Sequence, residues 1–196
     1  MNSSGKHLYP EFYNRPDVVQ ISRDLLGCVL CTHINGEFTS GLIIETEAYC
    51  GRNDKACHAN NDTRTNRTEV MYGPPGHSYI YLCYGIHHLF NVVTNREGLA
   101  DAVLIRAIKP LDGIEIIKER RGVSSFKDLT NGPGKLSQAL AINKSMSGCS
   151  LFEPPIWIEK REIGIDPDSV KSSKRIGVDY AGEDALRNWR FTTELC

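Results

Sequence analysis

The chain has 196 residues, a formal net charge of −1 and 40% hydrophobic side chains, which is typical of one globular domain. No apolar run approaches the roughly 20 residues of a membrane-spanning helix, and the N-terminus has neither an apolar signal core nor an arginine-rich amphipathic pattern. We therefore expect a single domain over residues 1–196, with a short arm at residues 1–9, no membrane partner and a cytosolic location.

The first predicted element is a helix over residues 13–27. Asn14 is a suitable N-cap, Pro16 suits the first turn, and Gly27 suits the end of the helix.

A hairpin is predicted next, over residues 28–49, with Asn35 and Gly36 as its two-residue turn. It begins with a C-x-x-C, Cys28 and Cys31, a spacing found at zinc and redox sites. No second pair follows, and residues three apart on a strand face opposite sides, so we predict no metal site. An odd number of scattered cysteines also predicts reduced thiols in a cytosolic protein. The seven cysteines are Cys28, Cys31, Cys50, Cys57, Cys83, Cys149 and Cys196.

The second strand of this hairpin contains the segment "GLIIETEAYCG" at residues 41–51. Strand alternation predicts that Ile43, Glu45, Glu47 and Tyr49 share one face. This face is either the wet side of a half-exposed strand or a catalytic carboxylate beside an aromatic ring. The two glutamates are also about 6.6 Å apart along the strand, near the separation in inverting glycosidases. Adjacent side chains on one strand rarely flank a substrate, however.

The rest of the chain is predicted to be rich in strands, with helices inserted between them. The absence of a regular β-α-β alternation indicates an α+β fold, a single domain on a mixed, largely antiparallel sheet. The predicted elements are an irregular loop at 51–77, strands on both sides of Gly85 within 78–94, a strand at 101–110, a helix capped by Asp112 over 113–122, a helix from Pro133, and late strands at 154–160, 174–179 and 188–193.

Four tyrosines lie close to this acidic strand in the predicted fold. Tyr79 and Tyr81 share a strand face, whereas Tyr84 lies on the other face, directly before Gly85. Tyrosine is common in strands even where it has no functional role. The cluster with Tyr49 nevertheless suits stacking on a planar ligand such as a nucleobase.

The segment "NGPGK" at residues 131–135 resembles an anion site at a helix start. Backbone N–H groups at Gly134 and the side chain of Lys135 could bind a phosphate. Leu136 stands where a P-loop needs Ser or Thr, so a DNA backbone phosphate fits better than ATP. A plain turn with a surface lysine is the alternative. Residues 51–144 hold 13 basic and 9 acidic side chains, which permits an anion-binding face.

Seven blocks of sequence together resemble the alkyladenine (3-methyladenine) DNA glycosylase family, in order and over nearly the whole chain. This resemblance implies a glycosylase domain that flips damaged purines out of duplex DNA and hydrolyses the N-glycosidic bond, as a monomer and without metal or cofactor. A cationic alkylated purine is already a good leaving group, so one base and a water suffice. The blocks are "ETEAY", "DKACH", "YIYLCYG", "FNVV", "AVLIRAIKP", "NGPGKLSQALAINK" and "RIGVDYAGE".

The resemblance also implies roles for individual residues. Glu47 matches the base that activates the attacking water, and Arg106 and the backbone carbonyl of Ile176 match groups that hold this water. Tyr84 matches the side chain that is inserted into the duplex gap.

The same resemblance implies the residues that contact the flipped base. Tyr49 matches the ring on one face of the base, and His58 and Tyr81 match its partners on the other face, with His58 also a hydrogen-bond donor. Asn91 matches the residue that excludes bases with an extra amino group.

Two other functions are compatible with these residues. A non-catalytic nucleic-acid binder would use the stacking pocket without Glu47, and a sugar or nucleoside N-glycosidase would not need Tyr84. The segment "GIHHLF" at residues 85–90 departs from animal relatives through two histidines. The sequence does not rank 3-methyladenine, 7-methylguanine, hypoxanthine and ethenoadenine as substrates.

Overall fold

A computed structural model describes residues 6–160 and 165–194 and is organised around one long strand, β3 (Glu37–Tyr49). The first half of β3 pairs with β2 (Val29–Ile34), and its last residues pair on the same side with β10 (Arg190–Thr192). Strand β6 (Asp101–Pro110) runs along the other side. The acidic stretch of β3 therefore lies in the interior of the sheet.

The described residues form one sheet of ten strands. Its main path is β1 (Lys6–His7), β8 (Ile156–Lys160), β2, β3, β6, β5 (His87–Thr94) and β4 (Ser78–Cys83). All pairings among the described strands are antiparallel. Helices lie between the strands in sequence, which confirms the predicted α+β domain. The other strands are β7 (Phe152–Glu153) and β9 (Lys171–Ser173).

The predicted helix at residues 13–27 forms only over α2 (Val18–Asp24), and a separate short helix, α1 (Pro10–Tyr13), precedes it. Asn14 ends α1 and does not cap α2, so that prediction was wrong. The N-cap is Asp17, whose carboxylate accepts a hydrogen bond from the Gln20 N–H at 3.0 Å. The reason is Pro16, because a proline disfavours helical backbone at the residue before it.

Two further predictions fail locally. Helix α3 (Ile114–Arg121) begins after Gly113 at φ 69° and has no side-chain cap, because the Asp112 carboxylate accepts a hydrogen bond from Ser40. Residues 174–179 are irregular and do not form a strand. Helix α4 (Pro133–Ala139) begins at the predicted proline.

The start of the described chain also differs from a free arm. Residues Lys6–His7 pair with β8, and Leu8 is buried. The hairpin turn, by contrast, forms as predicted, with φ of 55° at Asn35 and 81° at Gly36.

The two faces of the sheet have different coverings. The main core lies on the face against the helices and includes Ile21 of α2, Leu136 of α4, and Ile80 and Phe90 from β4 and β5. The alternate residues of the same strands face the other side, where the irregular segment 51–77 covers them. A smaller buried cluster forms there from Cys57, Ala59, Met71, Tyr72, Tyr79, Val93, Ala100 and Ala102. The candidate site lies on this second face.

Candidate active site

The acidic residues reach the second face through a β-bulge in β3. Ile43 pairs with Ile108, but Glu45 pairs with Ala107 and Thr46 with Ile105, so the register shifts on both sides of Glu45, with Ile44 as the extra residue of β3. An extra residue in one strand reverses the alternation that follows. The prediction that Ile43 shares a face with the two glutamates was therefore wrong, and Ile43 packs in the main core.

A cavity of about 190 Å³ opens beside this part of β3. It brings together residues from β3, β4, β5, β6 and two irregular segments, most of which are far apart in the chain. The predicted site residues on its wall are Tyr49, His58, Tyr81, Tyr84, Asn91, Arg106 and Ile176.

Glu47 lies behind this wall and has no exposed surface. Its Oε1 accepts a hydrogen bond from the Ile176 N–H at 2.8 Å, and its Oε2 accepts one from the Tyr49 hydroxyl at 2.7 Å. Arg106 Nη1 lies 3.4 Å from the same Oε2. Burial raises the pKa of Glu47, while the Arg106 charge, the Tyr49 hydroxyl and the Ile176 N–H oppose that rise. The result is a desolvated carboxylate held in one orientation.

The second carboxylate of the motif, Glu45, accepts hydrogen bonds from two arginines. Its Oε1 accepts from Arg106 Nε at 2.8 Å and from Arg190 Nε at 2.6 Å. Arg106 therefore spans both glutamates, which fixes its guanidinium at the edge of the cavity. The sequence had assigned no role to Glu45.

His58 is held by two neighbours. Its Nδ1 lies 2.9 Å from the Tyr79 hydroxyl, and Arg67 donates to its Nε2 at 3.0 Å. Burial, assisted by the Arg67 charge, lowers the pKa of His58 to about 4, so the ring is neutral at pH 7. Its centroid is 4.7 Å from that of Tyr81, edge to face. Both ring nitrogens are occupied, so a hydrogen bond from the ring to a ligand would require one neighbour to move.

Asn91 is buried in the floor between neighbouring strands. Its Nδ2 donates to the carbonyl oxygens of Tyr79 at 3.0 Å and Leu89 at 3.2 Å. These two bonds fix the orientation of the amide plane.

Tyr84 is at the tip of the hairpin that joins β4 to β5 and is 92% exposed. It has a φ of 51°, and Gly85 has a φ of 74°. The Asn35–Gly36 turn has the same φ signs with residues that suit them, whereas a bulky side chain at positive φ is unfavourable. Strain at such a position is a reason to look for a functional role.

Gly134 and Lys135 do not line the cavity. Lys135 Nζ donates to Asn131 Oδ1 at 2.8 Å and lies 3.8 Å from Asp128. A Cβ at Gly134 would lie 2.9 Å from the His87 ring, so the glycine permits α4 to pack against the base of the hairpin. Their role as phosphate contacts stays a prediction.

Sequence reasoning missed one ion pair, between Arg175 and Asp54. Both side chains have no exposed surface. The two residues are 121 positions apart, so no local pattern indicates their contact, although both lie within the blocks that carry the family resemblance.

Other site classes find no support in the described part of the chain. There, no three His, Cys, Asp or Glu side chains form a group that could hold a metal ion. No helix in residues 6–160 and 165–194 is long and apolar enough to cross a membrane.

Comparisons with known proteins give a consistent result. A family described as Methylpurine-DNA glycosylase matches residues 11–195. Three bacterial relatives, each curated under the name "Putative 3-methyladenine DNA glycosylase", match nearly end to end. The relative from Chlamydia abortus is 47% identical over 96% of this chain and 99% of its own. The relative from Desulfitobacterium hafniense is 45% identical over 96% of both chains, and that from Natranaerobius thermophilus is 44% identical over 92% of both.

Proposed function

The chain belongs to the methylpurine-DNA glycosylase family, and from that premise we propose how it acts. It flips alkylated and deaminated purines out of duplex DNA and hydrolyses their N-glycosidic bonds with a water that Glu47 activates. As a member of the family it is a DNA repair enzyme that acts on N-glycosyl bonds. One observation supports the proposal most strongly: a fully buried carboxylate lies directly behind the wall of an aromatic cavity and is fixed there by three wall residues, Tyr49, Arg106 and Ile176.

The bonds of Glu47 are compatible with proton abstraction from a water. A carboxylate oxygen has two acceptor positions, and Oε1 receives one bond, from the Ile176 N–H. The second position can accept a proton from a water that is also oriented by Arg106 and by the Ile176 carbonyl. Desolvation raises the basicity of the carboxylate, which suits a general base.

The negative charge of Glu47 serves a second purpose. Cleavage of a glycosidic bond passes through an oxocarbenium-like transition state. A fixed carboxylate stabilises the positive charge that develops on the sugar, and it needs no reorganisation at that moment.

The aromatic walls suit a flipped purine. Tyr49, Tyr81 and His58 all line the cavity, and the rings of Tyr81 and His58 meet edge to face. Stacking between such rings replaces part of the stacking that the base loses on leaving the duplex. The immobilised amide of Asn91 gives the floor a fixed shape, which suits rejection of purines with an additional amino group.

Tyr84 suits the gap that the flipped base leaves. Its ring is exposed at a hairpin tip and lies at the mouth of the same cavity. A free nucleoside would make no use of such a residue, so this observation favours duplex DNA as the substrate.

We propose that the product is an abasic site. Strand cleavage by a lyase would require an amine that forms a Schiff base. No lysine is present in the cavity wall formed by the described residues.

The experiment is a panel of duplexes, each with one lesion: 3-methyladenine, 7-methylguanine, hypoxanthine or ethenoadenine. Each is incubated with the protein, and abasic sites are then cleaved with alkali. We expect strand cleavage after alkali for at least one lesion and none before it. An undamaged duplex and the corresponding free nucleosides are the controls. Faster hydrolysis of free nucleosides than of the duplex lesion would show a nucleoside hydrolase instead.

A further inference from the structure

Arg175 is a buried guanidinium that joins three separate segments of the chain. Nη1 donates to the Ala48 carbonyl at 2.8 Å and to Asp54 Oδ2 at 2.5 Å. Nη2 donates to Asp54 Oδ1 at 2.7 Å and to the Asp184 carbonyl at 3.0 Å. All four terminal N–H groups are therefore used, in a fork that only a planar guanidinium can form.

The same guanidinium lies against the ring of Tyr49. Its central carbon is 4.8 Å from the Tyr49 ring centroid and 5.2 Å from that of Trp189. Tyr49 is also part of the cavity wall, whereas Arg175 is not. The Tyr49 ring thus has a fixed charged plane beside it in the protein interior.

The residue after Arg175 in the chain binds the Glu47 carboxylate directly. Ile176, whose N–H donates to Glu47 Oε1, directly follows Arg175, and the hydroxyl of Tyr49 donates to Glu47 Oε2. Two of the three groups that hold Glu47 are therefore attached to, or packed against, Arg175.

We propose that Arg175, fixed by Asp54, is a positioning residue that aligns both the Tyr49 ring and the Glu47 carboxylate for the reaction. This inference rests on the proposed function, in which Glu47 is the general base. Arg175 does not line the cavity and acts through Tyr49 and Ile176.

The proposal predicts a particular pH dependence. The groups that act on Glu47 are Arg106 from β6, Tyr49 and Glu45 from β3, the Ile176 N–H, and the charge of Arg175 itself. In the strand pairing, Arg190 of β10 lies opposite Glu47, but its side chain forms an ion pair with Glu45.

A looser Arg175 weakens the bonds from Tyr49 and Ile176, both of which lower the pKa of Glu47. The pKa then rises. Because the base works deprotonated, the acid limb of the rate profile must move to higher pH.

The test is single-turnover excision as a function of pH for Arg175→Lys and Asp54→Asn. Lysine retains the charge but not the planar fork, whereas Asp54→Asn leaves Arg175 and its two carbonyl bonds in place. Arg187→Lys is the matched control, because Arg187 also pairs with an aspartate, Asp184, and also packs on Trp189, at 4.5 Å.

We expect two folded proteins whose plateau rate falls by roughly 10²-fold, as a small misplacement of reacting groups does. The acid limb should move to higher pH in Arg175→Lys, which keeps the positive charge near Glu47. Arg187→Lys should match the wild type in both. If the variants lower only the fraction of DNA that is excised, and leave the excision rate constant and the acid limb of its pH profile unchanged, Arg175 has a merely structural role and the inference is overturned. If Arg175→Lys does not fold, the plateau rate of Asp54→Asn decides alone, because loss of the Asp54 charge also shifts the pKa of Glu47.

These outcomes are distinct from a failure of the proposed function. A wild-type protein without excision, or an acid limb that persists in Glu47→Gln, would refute that function and with it this inference. If the wild type has an acid limb that depends on Glu47, but Arg175→Lys leaves the limb in place and Asp54→Asn leaves the plateau rate unchanged, only the positioning role is refuted.

Discussion

The cavity wall and the hairpin tip are two parts of one site, and they are built in opposite ways. The wall is backed by Glu47 and Arg175, whose side chains have no exposed surface and are held by bonds from other protein groups. At the tip, Tyr84 is 92% and Ile86 71% exposed. The wall is organised before any ligand arrives, while the tip gains contacts only from a partner. In the proposed function, the wall therefore carries out the chemical step and the tip extracts the base.

The two parts also store free energy differently. Removing one partner of a buried ion pair typically costs about 3–5 kcal/mol, so Asp54 and Arg175 are essential to each other. At the tip the unfavourable term is local, a tyrosine at positive φ, typically about 1–2 kcal/mol. Substitutions at the tip can therefore change function without threatening the fold.

The largest effect is expected in the wall. Glu47→Gln should reduce single-turnover excision by roughly 10²–10⁴, the usual contribution of a general base. Binding of the lesion duplex, measured by fluorescence anisotropy, should survive because glutamine is isosteric. Glu45→Gln is the matched control on the same strand face and should lose less, since Glu45 bonds to arginines and not to the water site. Near-normal excision by Glu47→Gln would remove Glu47 from the mechanism.

The next effect is expected at the tip. Tyr84→Ala should reduce excision from a well-paired duplex by roughly one to two decades, because stacking by one aromatic is worth about 1–3 kcal/mol. Tyr84→Trp, which retains a stacking ring, should stay close to wild type. A loss of equal size in the tryptophan variant would mean that stacking is not the function of Tyr84.

A smaller effect with the opposite sign concerns stability. Tyr84→Asn should raise the free energy of unfolding by about 1 kcal/mol, because asparagine adopts positive φ readily. The same variant should excise poorly from duplex DNA. The second hairpin turn provides the reciprocal control: Asn35→Tyr should destabilise the fold without altering excision. Urea unfolding measures the stability of both variants. A Tyr84→Asn variant less stable than the wild type would contradict backbone strain at the tip.

These elements also show what could be read from the sequence. Alternation and the Asn-Gly turn predict β2 and β3 because both depend on neighbouring residues. The bulge at Ile44 was not predictable, since it arises from pairing with β6, and neither was the contact of Arg175 with Asp54. The expected roles of Glu47, Tyr49 and Tyr84 depend on the family resemblance. Residue spacing alone is equally consistent with a half-exposed strand that has an acidic, solvated face.

The smallest effect is expected outside both parts. If Lys135 contacts a DNA phosphate, Lys135→Ala should reduce the salt dependence of binding by about 0.9 in log–log slope. Damaged and undamaged duplexes should weaken alike. Lys6→Ala is the control, because β1 lies at the opposite edge of the sheet from β4. A change confined to lesion-bearing DNA would place Lys135 in base recognition.

The division of work between wall and tip is tested most directly by measuring single-turnover excision of one lesion in paired and in single-stranded DNA, for wild type, Glu47→Gln and Tyr84→Ala. We predict that Glu47→Gln loses the same large factor in both contexts, because hydrolysis follows extraction. Tyr84→Ala should lose activity in the duplex and almost none in the single strand, where little unstacking is needed. An equal loss by Tyr84→Ala in both contexts, or a loss by Glu47→Gln in the duplex alone, would contradict the account.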